Sequence, residues 1–103
     1  MEPRLDIAPA LANAPADPLA WLLSATLARR GGDLVRAAAD IAEALKRSPD
    51  DASVQFEAGN IAAAAGDEAN ARSAWERVIA LSPGSPLAGS ARKALEQFGL
   101  TER

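Results

Sequence analysis

Apolar side chains recur along the chain at helical spacing. Trp21, Ala25 and Ala28 fall on one face, as do Ala37, Ile41, Ala44 and Leu45, then Ala71, Trp75, Val78 and Ile79, and finally Leu87, Ala91, Ala94, Leu95 and Phe98. Such spacing puts one side of each segment toward a core, because positions three and four apart are neighbours on a helix surface. Nothing shows the strict alternation of a strand, so the pattern predicts an all-α fold.

Punctuation separates these segments. Asp17, Asp51 and Ser85 can each accept from the free N–H groups of a helix start, and Pro18 and Pro86 follow two of them where a missing N–H costs nothing. Gly32-Asp33 and Gly66-Asp67 each pair a residue suited to a left-handed turn with a side chain that caps the next helix. Ser48-Pro49 and Ser82-Pro83 close the following helices, and Gly99 closes the last.

These marks repeat at a step of 34 residues, which joins Pro49 to Pro83, Gly32-Asp33 to Gly66-Asp67, Ala28 to Ala62 and Ala37 to Ala71. Residues 18–51 and 52–85 thus read as two units of two helices each. The same step backwards aligns Asp6-Ile7-Ala8 with Asp40-Ile41-Ala42, Ala10-Leu11 with Ala44-Leu45 and Pro15 with Pro49, so six of the eleven residues from Leu5 to Pro15 are identical. Residues 5–15 therefore read as the second helix of a partial unit, shortened by Pro9, and residues 86–99 as a capping first helix without a mate. The expectation is six helices in one domain spanning 1–103.

With Trp21, Ser24, Ala25, Ala28, Ala37, Ile41 and Pro49 in one unit and Gln55, Ala58, Gly59, Ala62, Ala71, Trp75 and Pro83 in the next, the pattern resembles the tetratricopeptide repeat, a helix-turn-helix of 34 residues. The resemblance implies an α-solenoid of antiparallel helix pairs. Ala28 and Ala62 stand where that family usually carries a large aromatic, which predicts close helix pairs and a core with few rings. Trp21 and Trp75 are expected on the face between helices, and Glu57 is expected to face water.

Composition sharpens this reading mainly by exclusion. The chain has neither histidine nor cysteine, which removes the commonest general base, the thiolate nucleophile and the commonest metal ligands. Gly31-Gly32-Asp33 is too short for a phosphate loop, and Asp50-Asp51 reads as turn and cap chemistry, so no enzyme and no cofactor are expected. A net charge of −3, with basic residues adjacent only at Arg29-Arg30, Lys46-Arg47 and Arg92-Lys93, argues against nucleic acid. No apolar run reaches membrane-spanning length, and the start MEPRLDIAP lacks the layout of a signal peptide, so a cytoplasmic protein without membrane insertion is expected.

Binding is the remaining class. Stacked helix pairs form a concave surface lined by their first helices. Here that lining would be Leu19, Leu22, Leu23, Thr26 and Arg29 with Ser53, Phe56, Asn60 and Ala63, a groove for a peptide or helix of a protein partner. The resemblance also invites comparison with a clamp of Lys, Arg and Asn that holds C-terminal carboxylates. Leu22, Glu57, Leu87 and Ala91 occupy its places and leave Asn60 as a lone polar match. The segment from Pro18 to Ala28 is apolar almost all round, read either as burial on two sides or as a patch for a partner, including a second copy. A self-assembling homo-oligomer, joined end to end through the half units, is the alternative function.

Overall fold

The computed structural model describes residues 17–99. It contains the helices α1 (Pro18–Arg30), α2 (Leu34–Arg47), α3 (Ala52–Ala64), α4 (Glu68–Leu81) and α5 (Pro86–Gln97). These are the five expected between Pro18 and Gly99, and there is no strand among the described residues. The expected helix over 5–15 lies outside the described residues.

Each start is built by the cap the pattern marks. The Asp17 side chain accepts from the Leu19 N–H, Asp33 from Arg36, Asp51 from Ser53 and Val54, Asp67 from Asn70, and Ser85 from Ala88. Each such cap is worth about 1 kcal/mol. Gly32 and Gly66 hold φ of 86° and 81°, the left-handed turn that lets each second helix fold back on its first.

Helices adjacent in sequence pack together, and the contacts between non-adjacent ones are unequal. α1 touches α3 and α3 touches α5, whereas α2 and α4 do not meet. First helices are thus drawn together while second helices fan apart. The described array bends toward the first helices, which places α1, α3 and α5 on its concave side.

Two apolar clusters fill the space between helices. Ala25, Ala37, Ile41, Ala44, Val54 and Ile61 form one, with Trp21, Leu22 and Leu45 packed against it. Ala71, Trp75, Val78, Ala91 and Leu95 form the other, with Phe56, Ile79 and Leu87 against it. Trp75 is fully buried, whereas Trp21 is half-buried, with the Arg47 guanidinium 5.5 Å from its ring centroid. Phe98 is half exposed yet stays 5.5 Å from the Trp75 ring, centroid to centroid.

One contact ties the pairing of large and small residues to the backbone. A methyl group added at Gly59 would stand 2.4 Å from Trp75 Nε1 and 2.5 Å from its Cδ1. The first unit holds Ala25 and Ile41 at the corresponding places, a smaller side chain against a larger first-helix residue.

A buried polar pair interrupts the first unit. The Ser24 hydroxyl donates to Asp40 Oδ2 over 2.5 Å, and Arg36 Nε donates to the same oxygen over 3.3 Å. The second unit carries Ala58 and Ala74 at those places. Ser24→Ala should therefore cost about 1–3 kcal/mol, since it leaves a buried carboxylate short of a donor. Adding Asp40→Ala should recover most of the loss, because the alanine pair of the second unit shows that the packing tolerates it. Urea denaturation of both variants checks this. A double variant weaker than Ser24→Ala would show that the pair stabilises on balance.

Candidate functional site

The concave side presents α1 and α3 side by side, and their registers decide which residues share it. Leu22, Thr26 and Arg29 recur on one face of α1, and Phe56, Asn60 and Ala63 hold the corresponding positions on α3. Leu22 and Phe56 are half-buried, each resting its inner side on one of the two clusters. Asn60 and Ala63 are half-buried beside them, and Ser53 is exposed at the start of α3. The Thr26 hydroxyl donates to the Leu22 carbonyl over 3.0 Å, so it is turned to its own helix.

Arg29 crosses from α1 to α3. Its Nε donates to Glu57 Oε2, and its Nη2 lies 3.3 Å from Oε1. Glu57 is buried, which corrects the expectation that it faces water. The physical reason is the ion pair: a carboxylate withdrawn from solvent needs a cation, and Arg29 supplies a two-pronged one. This pairing also occupies the one groove cation among the nine candidate residues.

Leu19 and Leu23 are exposed; Leu19, three residues before Leu22 and seven before Thr26, lies at the edge of their face, and Leu23 lies farther round the helix. Helical register puts Leu19, Leu22, Thr26 and Arg29 on one side of α1 with Ser53, Phe56, Asn60 and Ala63 at the corresponding positions of the neighbouring α3, and Leu23 farther round α1.

A second depression lies on the opposite, convex side, where α2 and α4 diverge over α3. It has a volume of about 490 Å³, with Leu34, Ala38 and Leu45 on one wall and Asn70, Ser73 and Arg77 on the other. Arg77 is engaged there, donating to Asp50 Oδ1 over 2.5 Å. None of the nine candidate residues lines this depression. Its apolar wall was visible in the α2 pattern, but the gap beside it comes from the fanning of second helices, which no local signal carries.

Charge elsewhere is spent on helix surfaces. The Glu43 carboxyl is held below its ordinary value by hydrogen bonds from Arg47 and then Lys46 on the next turn. A lowered carboxylate value contributes stability above the unfolded range, and that contribution is lost as pH falls through the folded value. Glu43 is solvated, so its consequence is local: it steadies Arg47 over Trp21.

The model of the tetratricopeptide repeat matches residues 5–52 and 22–86, which together cover most of the chain. The chain belongs to the tetratricopeptide repeat family. It is a protein-interaction repeat module, of a kind that generally acts as a non-catalytic scaffold. No curated protein matches the chain in sequence. Among the described residues, no helix is long and apolar enough to cross a membrane.

Proposed function

We propose that this tetratricopeptide repeat module binds a short peptide or helix of a protein partner along its concave face, with Leu22 and Phe56 as apolar anchors. The observation that carries this reading is the approach of the first helices. Leu22 and Phe56 hold corresponding positions one repeat apart on these neighbouring helices, and both are half-buried, which supports a shared wall.

The chemistry favours an apolar ligand. Arg29 is committed to Glu57, so the proposed lining offers no free cation for a terminal carboxylate. Asn60 supplies an amide that can hold a peptide backbone group, and Thr26, Ala63 and Ser53 keep the wall shallow between the anchors. Recognition would rest on side chains that fill the space around two anchors, with one polar contact setting direction.

Selection from a random displayed-peptide library tests this. Peptides retained by the parent protein should carry apolar anchors and should bind at least about tenfold more weakly, or about 1.4 kcal/mol, to Leu22→Glu/Phe56→Glu. Because both side chains also touch the core, Asn60→Arg serves as a second variant on the same wall. Peptides that bind all three proteins equally would place recognition elsewhere.

A further inference from the structure

The convex depression between α2 and α4 is apolar where helix packing does not require it to be. Its α2 wall is Leu34, Ala38, Ala42 and Leu45, and its floor on α3 holds Ala58 and Ala62. Ala38 and Ala42 are exposed, and Leu34 and Leu45 are half-buried.

The repeat supplies the comparison. One step of 34 residues along, the wall becomes Glu68, Arg72, Glu76 and Ile79 on α4, and the floor becomes Arg92 and Glu96 on α5. All of these except Ile79 are exposed. Charge at such positions is thus compatible with a second helix packed on the next first helix, so packing alone does not call for an open apolar wall. Side-chain volume is also missing from the depression. Gln55, Ala58 and Ala74, all on its lining, stand where the first unit has Trp21, Ser24 and Asp40.

We propose that this depression is a second docking site, which takes the apolar stripe of a three-turn amphipathic helix from a protein partner and an acidic side chain of that helix at Arg77. Length fits, since Leu34 to Leu45 spans about 16 Å at 1.5 Å per residue, or three turns. The volume of about 490 Å³ holds several side chains. It is less than the about 1,000 Å³ or more that a whole three-turn helix occupies, so the occupant lays one face into it. The wall repeats at helical spacing, which suits side chains three and four apart on the occupant. A helix also satisfies its own backbone, whereas an extended segment would leave N–H and C=O groups against leucine and alanine.

The opposite wall sets the polar chemistry. Asn70, Ser73 and Arg77 line it from α4, and all three are exposed. Arg77 Nη2 donates to Asp50, an exposed ion pair of the weak kind, and a guanidinium has five N–H donors, so Arg77 can take a second carboxylate. An occupant therefore turns its apolar side to α2 and α3 and its acidic side to α4. The site lies on the face opposite Leu22 and Phe56, so it does not depend on the concave reading.

Selection of displayed peptides of about twelve residues, three turns of helix, on the full chain tests this. One group of retained peptides should carry apolar residues three and four apart with an acidic residue. It should bind at least about tenfold more weakly to Ala38→Arg/Ala42→Glu and to Arg77→Glu, and unchanged to Asn60→Arg on the concave wall. Titrating such a peptide into protein with labelled alanine methyls should move the Ala38 and Ala42 signals and leave Ala63 in place. The double variant copies the charges of Arg72 and Glu76, so it should melt like the parent. If it melts lower, Ser73→Arg, an exposed change on the other wall, should give the same loss of binding. A selection that yields no such group would overturn the proposal, as would peptides that bind all the variants equally or whose apolar residues alternate as in a strand. Ala38 and Ala42 signals that move with protein concentration alone would overturn it in favour of a second copy.

Discussion

Trp75→Ala is expected to remove about 3–5 kcal/mol of stability, a large share of the about 5–15 kcal/mol that holds a domain of this size together. Trp75 is 1% exposed and shares a cluster with Val78 on its own helix and with Ala91 and Leu95 of α5, with the Phe98 ring tilted 40° to its own. Around it stand mostly alanines, which cannot move in to fill the space an indole leaves. Its Nε1 hydrogen has no hydrogen-bond partner, which costs part of what the ring contributes. The indole packs closely against Gly59, where no side chain holds it off.

The pairing gives a sharper form of the same prediction. Gly59→Ala should destabilise by about 1–3 kcal/mol although alanine is the better helix former, since its methyl would press into the indole. The first unit meets the same demand with Ala25 and Ile41. Placing Trp75→Ile on the Gly59→Ala background rebuilds that combination, and the two losses should therefore fall short of their sum by at least about 1 kcal/mol. Chemical denaturation of the parent, the two single variants and the double variant measures the shortfall. Losses that simply add would mean that Gly59 and Trp75 are not fitted to each other.

What the sequence discloses here is mostly local. Asp17, Asp33, Asp51, Asp67 and Ser85 each cap a helix whose start they mark, because a cap acts within three residues of its own position. The Ser24–Asp40 pair was legible in principle: both positions become alanine one repeat later, a matched exchange that signals a shared partner. Glu57 was misread as solvent-facing because its partner Arg29 lies 28 residues away, off the 34-residue step, so no periodic comparison brings the two together. The grouping of Leu22 with Phe56 follows from the repeat. The burial of Glu57 and Ala91 at the positions equivalent to exposed Leu23 does not, since the flank of a helix is covered by residues distant in sequence.

Arg29→Met should cost about 3 kcal/mol, the lower end of what breaking a buried ion pair removes, because Arg29 itself is about a quarter exposed and water can reach the site in part. The loss comes from Glu57, whose carboxylate would stay buried between α1 and α3 without a cation. Glu57→Leu should cost less than about 1 kcal/mol, since the freed Arg29 can extend into water. Apolar residues already fill the corresponding places, Leu23 in α1 and Ala91 in α5. The double variant Arg29→Met/Glu57→Leu should then approach the parent, because an apolar pair of similar volume avoids the desolvation that both charges undergo. Thermal and urea unfolding of the three variants gives the order directly. If Glu57→Leu proves the most damaging and Arg29→Met is neutral, Glu57 is not a stranded charge, and the ion pair does not draw the first helices together. If instead the double variant is stable but loses peptide binding on the concave face, the pair is held for the spacing of α1 and α3 that the groove requires, and stability is a secondary consequence.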